Sequence, residues 1–108
     1  MSAWAYEFSC DRSLSEMEPI LDRSGPWRWR VRDCAWYPDF LQSRPYDDVR
    51  ICVYERNPPG GPSYRSLVEI DPTSGRPRPT IEAVFVGLLG RLPARDLVEV
   101  PPVEWPFD

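Results

Sequence analysis

The feature that most constrains the fold is a strict alternation of large apolar residues with arginines over residues 27–32, Trp-Arg-Trp-Arg-Val-Arg. Side chains of a β-strand point alternately to its two faces, so this segment predicts a strand with one buried and one polar face. Trp27 and Trp29 belong to the buried face. Because a strand of this kind has only one apolar face, the pattern favours an antiparallel sheet that is covered on one side.

Further segments show the same two-residue period. Residues 4–8 alternate aromatic with other side chains, and residues 49–56 alternate Val, Ile and Val with arginine, cysteine and tyrosine. The Pro- and Gly-rich stretch at 57–62 is a turn signal, and a strand over 64–70 follows it. Residues 97–100 predict a short last strand.

Two segments have the period of an amphipathic helix. The first is predicted over residues 15–24, because residues 15–18 read as a capping box and Gly25-Pro26 supplies a stop. Thr80 is the predicted N-cap of the second helix. The apolar residues of that helix recur at spacings of three and four, at Ile81, Val84, Phe85, Leu88, Leu89 and Leu92.

The remaining segments predict loops and complete the architecture. Residues 38–48, with two prolines and three aspartates, predict a long exposed loop, and residues 71–79 contain too many prolines for a helix or central strand. Residues 101–108 form a tail that contains proline and aromatic residues. The order β-α-β-β-β-α-β predicts one α+β domain over residues 1–108. It is an open-faced sandwich, in which two helices cover one face of a mostly antiparallel sheet of about five strands.

Composition narrows the chemistry. The chain has no histidine and no lysine, since all 13 of its basic residues are arginine. The commonest general base, the commonest metal ligand and the Schiff-base amine are therefore missing. With no catalytic motif in view, we expect a protein that is not an enzyme and that has no cofactor or metal site. The arginine bias and the 14 prolines indicate a GC-rich bacterial source.

Charge and targeting signals indicate the setting in which the protein acts. The formal net charge of −4 favours basic protein partners over nucleic acid. The N-terminus lacks the features of a signal peptide, and the longest uncharged apolar run, residues 83–90, is too short to span a bilayer. The three cysteines form no CxxC pair, which predicts reduced thiols. We expect a cytoplasmic protein without a membrane partner.

The loop at 38–48 and the tail supply the first candidate site. Exposed aromatic side chains act as anchors in interfaces, and carboxylates steer a basic partner. Calcium binding is discounted because the DxDxDG spacing is absent. A loop or tail whose aromatic residues fold back over the core is the structural alternative. The predicted partner-binding residues are Tyr37, Asp39, Phe40, Tyr46, Asp47, Asp48, Trp105 and Phe107.

The polar face of the sheet is the second candidate site. The planar fork of arginine suits carboxylate or phosphate recognition. Glu7, Arg65 and Glu69 share this face, and cross-strand arginine–glutamate pairs would make it an ordinary solvated surface instead. Cys34 and Cys52 fall on the same side by parity, as small hydrophobic residues. The predicted anion-binding residues are Arg28, Arg30, Arg32, Arg50 and Arg56.

The leading functional hypothesis is a small acidic protein-interaction module, of the inhibitor or toxin-neutralising (immunity) type, that binds a basic partner. The alternative is a regulatory domain that binds a small anion on the arginine face. Small residues on one side of the second helix, Ala83, Gly87 and Gly90, would also permit a homodimer. Nucleic-acid binding is disfavoured because Tyr54 alone is placed as a stacking platform on the polar face.

Overall fold

Six strands and two helices make up the part of the chain that the computed structural model describes, residues 2–34, 37–56 and 63–102. The strands form one sheet of order β2-β3-β4-β5-β1-β6, and every pairing in it is antiparallel. In chain order the elements are β1 (Ser2–Ser9), α1 (Leu14–Ser24), β2 (Trp29–Cys34), β3 (Tyr37–Tyr46), β4 (Val49–Glu55), β5 (Ser63–Ile70), α2 (Arg78–Gly90) and β6 (Arg95–Val100).

The chain path explains which strands end the sheet. Strands β2 to β5 follow one another as a meander, β1 then pairs with β5, and β6 pairs with the other side of β1. Strands β2 and β6 are therefore the two edges. The predicted α+β class and antiparallel sheet are confirmed, with six strands where about five were expected.

The sixth strand is β3, and the prediction of a long loop over residues 38–48 is wrong. The two prolines of this segment are tolerated because neither interrupts a regular part of the ladder. Pro38 is the second residue of the strand, and Pro45 lies within the register shift between Ser43 and Tyr46. Only Asp47 and Asp48 remain in the turn between β3 and β4.

The core lies between the sheet and the two helices. Trp27 and Trp29 are 5% and 0% exposed, whereas Arg30 and Arg32 are exposed, as the alternation predicted. The Trp29 ring stacks on Phe85 of α2, with ring centroids 6.1 Å apart. The largest fully buried side chains from the helices are Phe85, Met17, Leu21, Ile81 and Leu89.

Both helices begin at residues other than those predicted. The N-cap of α1 is Ser13, whose hydroxyl accepts from the Glu16 amide at 3.2 Å, while the Glu16 carboxylate accepts from the Ser13 amide at 2.9 Å. Helix α2 begins at Arg78, two residues before Thr80, because proline fits the first turn of a helix. Neither of these two helices is long and apolar enough to cross a membrane.

Candidate functional site

Arginines and glutamates form ion pairs across the open face, the side of the sheet that the helices do not cover. Arg50 of β4 and Glu69 of β5 are in register, with Nη2 to Oε1 at 2.5 Å. Arg65 of β5 donates to Glu7 of β1 through Nε at 3.1 Å and through Nη2, and the Arg56 Nη1 reaches the same carboxylate at 3.4 Å. Two half-buried carboxylates thus form ion pairs with three arginines.

The five predicted anion-binding arginines do not form one site in the structure. Two of the five form the ion pairs just described. Arg28 precedes β2 and donates through Nε to Asp22 of α1 at 3.1 Å, so it belongs to the helix side. Arg30 and Arg32 stand exposed on the open face, and neither forms an ion pair with any side chain that the structure describes.

A small apolar cluster lies among these charges. Phe40, Ala5, Cys52 and Leu67 are at most 8% exposed, and Phe40 therefore does not stand exposed on a loop as predicted. Its burial follows from β3, which places it on the open face beside β4. The prediction that Cys52 lies on this face is confirmed, and Gln42 Nε2 contacts its sulfur at 3.7 Å.

A separate surface lies where β3 turns into β4. The Asp71 amide donates to the Asp48 carbonyl at 2.9 Å, which joins this turn to the segment after β5. Arg76 from that segment donates to both carboxylate oxygens of Asp48, at 2.8 and 3.0 Å, and its guanidinium lies 3.7 Å from the centre of the Tyr46 ring. The exposed side chains of Tyr46 and Asp47 are thus carried on a braced turn.

This turn borders a cleft of about 310 Å³. Four carboxylates and two guanidiniums line the cleft, so its net charge is negative when all of them are ionised. Arg76 lowers the pKa of the Asp48 carboxyl, and the backbone N–H of Thr73 lowers that of Asp71, so both are anions at neutral pH. We name Tyr46, Asp47, Asp48, Glu69 and Asp71 the acidic end.

The structure separates the predicted partner-binding residues. It brings Tyr46, Asp47 and Asp48 together, but Asp39 lies near the other end of β3, roughly 25 Å away at the usual rise of a strand. The side chains of Tyr37 and Cys34, and the whole of Trp105 and Phe107, lie outside what the structure describes.

A polar network ties α2 to the sheet. The Tyr6 hydroxyl donates to Glu82, and burial together with that carboxylate raises the pKa of Tyr6 to about 12. Arg78 bonds to Glu82 at 3.1 Å and to Glu99 at 2.5 Å, with its guanidinium over the Trp4 ring. Tyr6 is therefore protonated at neutral pH and is no general base. Among the described residues, no group of three or more acidic or cysteine side chains is arranged to hold a metal ion.

Two residues of the acidic end region, Asp71 and Arg76, were not singled out from the sequence. One local signal exists for Asp71, whose carboxylate accepts from the Thr73 amide at 2.9 Å, a turn for which Asp is favoured. Their approach to Asp48 depends on the pairing of Val49 with Ile70. That register brings together segments more than 20 residues apart in the chain.

No protein-family model matches the chain, and no curated protein or solved structure is significantly similar to it. Function is therefore inferred from the chain's own residues.

Proposed function

We propose that this protein is a protein-interaction module that binds a basic partner through its acidic end. The observation that carries this proposal is the braced turn, which presents exposed Tyr46 and Asp47 beside a cleft lined by four carboxylates. An aromatic anchor next to a net negative charge is an arrangement that recognises arginine- or lysine-rich surfaces.

The bracing contacts favour recognition by a preformed surface. Arg76 holds both the Asp48 carboxylate and the Tyr46 ring, so little side-chain entropy is lost from this turn when a partner binds. Asp47 is exposed and forms no ion pair with any side chain that the structure describes, so its carboxylate is open to a partner. A basic side chain that enters the cleft would exchange its water for carboxylate oxygens.

The narrower form of the proposal is an inhibitor or toxin-neutralising protein of the cytoplasm. The net charge of −4 supports it, because a negative protein attracts a basic partner over long range and raises the association rate. Binding rather than catalysis is the proposed activity.

Two charge reversals on the same strand-and-turn unit test this proposal. The wild-type protein and its variants Asp47→Arg and Asp39→Arg are immobilised and used to capture proteins from the native host, which are quantified by mass spectrometry. Both variants change the net charge equally, but Asp39 is exposed at the far end of β3. We expect the amount of a basic partner captured to fall at least about tenfold for Asp47→Arg, as for loss of a charged contact in an interface. Asp39→Arg should capture as much as the wild-type protein. Equal retention by both variants would contradict the acidic end as the binding surface.

Anion binding remains a second candidate because Arg30 and Arg32 lie exposed on one side of β2. The Cα atoms of alternate strand residues are roughly 6.7 Å apart, so the two guanidiniums extend from neighbouring points on one face and suit a diphosphate or dicarboxylate. A thermal-shift screen with such anions tests it. A rise in Tm of several degrees that Arg30→Ala abolishes would favour this function, and no shift with any anion would exclude the tested classes.

A further inference from the structure

Helix α1 closes one edge of the sheet with two of its carboxylates. Glu18 Oε2 accepts a hydrogen bond from the backbone N–H of Val31 at 2.5 Å, and Asp22 Oδ1 accepts one from that of Trp29 at 2.9 Å. Both donors belong to β2, the edge strand, and they lie at alternate positions along it. In an antiparallel sheet these outward-pointing groups are the ones that a further strand would bind.

The spacing of the acceptors matches the spacing of the donors. Four residues of α-helix rise about 6 Å, and two residues of strand extend about 6.7 Å. Carboxylates at positions i and i+4 of a helix beside the strand therefore reproduce the acceptor pattern of a neighbouring strand. The Trp29 amide is also the main reason why the pKa of the Asp22 carboxyl is lowered, which keeps this acceptor ionised.

The opposite edge has no comparable cover in the described residues. Strand β6 is exposed along most of its length, with Leu97 and Val98 at 38% and 53% exposure. No side chain that the structure describes accepts from a β6 backbone N–H. Among the residues that the structure describes, α1 covers the β2 edge and nothing comparable covers the β6 edge.

We propose that α1 is an edge guard that prevents β2 from pairing with the β6 edge of a second copy. The side chains that would lie opposite Arg30 and Arg32 favour β6, rather than a second β2, as the strand that pairs with β2. A two-fold pairing of β2 with itself, centred on Val31, would set Arg30 opposite Arg32 of the other copy, and like charges in that position are unfavourable. Strand β6 presents Leu97 and Val98 instead. Because the pairing is between different edges, it leaves one edge of each kind free and extends into open chains.

The test removes the guard and measures assembly. We expect wild-type protein to be monomeric by light scattering, and Glu18→Ala/Asp22→Ala to form species larger than dimers as its concentration rises. Hydrogen exchange at the Trp29 and Val31 amides should accelerate about tenfold or more, as expected for loss of a hydrogen bond to a charged acceptor. Asp11→Ala/Asp47→Ala removes the same charge at exposed sites outside both β2 and its neighbour β3, and should change neither measurement.

A third substitution identifies the partner edge. Val98→Lys, added to the Glu18→Ala/Asp22→Ala variant, should restore the monomer, because lysine on an edge strand opposes pairing. Oligomers that persist, or that stop at dimers, would overturn the assignment of β6. If the double alanine variant does not fold, Glu18→Ala and Asp22→Ala are measured singly, since each frees one N–H of β2. A folded variant that shows faster amide exchange but remains monomeric would contradict the proposal that α1 prevents β2 from pairing with a second copy.

Discussion

The two faces of the sheet bury side chains by different means. Under the helices, Trp29 and Phe85 are fully buried by contact with other apolar groups. On the open face, Arg50 and Glu69 keep 20% and 15% of their side-chain surface exposed and hold each other by charge. One alternating pattern of residues thus produces two faces that contribute unequally to the free energy of folding. Apolar burial provides most of the stability, and solvent-screened ion pairs contribute far less.

The largest effect is expected from the helix-covered face. Phe85→Ala should lower the free energy of unfolding by about 3–5 kcal/mol, because it leaves a cavity against Trp29. Val86→Ala, at the adjacent and exposed position of α2, should change it by less than about 0.5 kcal/mol. Urea denaturation followed by tryptophan fluorescence measures both. Similar losses for the two variants would contradict the large contribution of the helix-covered face to the free energy of unfolding.

An intermediate effect is expected from the apolar cluster on the open face. Leu67 is 2% exposed and contacts the cluster of Ala5, Phe40 and Cys52, so Leu67→Ala should cost about 2 kcal/mol by the same measurement. Leu97→Ala, on the exposed edge strand, is the matched control and should cost less than about 0.5 kcal/mol. A loss at Leu67 as small as that of the control would show that the open face has no packed centre.

A smaller effect is expected from the ion pairs. Glu7→Gln removes the charge shared by Arg65 and Arg56, and should lower the free energy of unfolding by about 1 kcal/mol at low salt. The difference from wild type should shrink in high salt, because these groups are partly exposed and therefore screened. An unchanged difference at high salt would mean that packing, rather than charge, accounts for the loss.

The smallest effect is expected from pH near neutrality. The pKa values of Asp22, Asp48 and Asp71 are lowered in the folded protein by their hydrogen-bond donors. Their stabilisation is present above the unfolded pKa of about 3.9 and is lost as pH falls through the lower folded values. Tyr6 has a pKa raised to about 12, so its contribution is lost as pH rises above about 10.

Because the chain has no histidine, the free energy of unfolding should be nearly constant between about pH 5 and 8. It should fall below about pH 4 and above about pH 10. Urea midpoints across this range measure it. A clear inflection near pH 6.5 would contradict the attribution of the pH dependence to these aspartates and Tyr6.

Strand parity was predicted correctly where the alternation was strong. Within β2, Trp29 points into the core and Arg30 and Arg32 point out, and Cys52 of β4 lies on the open face. Arg28, which was predicted on the open face, precedes β2 and lies on the helix side instead. Strand β3 was missed because its two prolines outweighed a weak alternation, and its pairing with two neighbours overrode that local signal. Of the predicted partner-binding residues that the structure describes, Tyr46, Asp47 and Asp48 stay together, whereas Asp39 and Phe40 lie farther back along β3.

The sequence alone determined which side chains share a face, because the two-residue period of a strand is a local property of the backbone. The tertiary structure alone decided that Asp71 and Arg76 meet Asp48, and that Glu18 and Asp22 bond to the β2 edge. These contacts join segments that are distant in the chain or belong to different elements. They depend on strand register and helix placement, which are set by how the whole apolar surface packs rather than by any one segment.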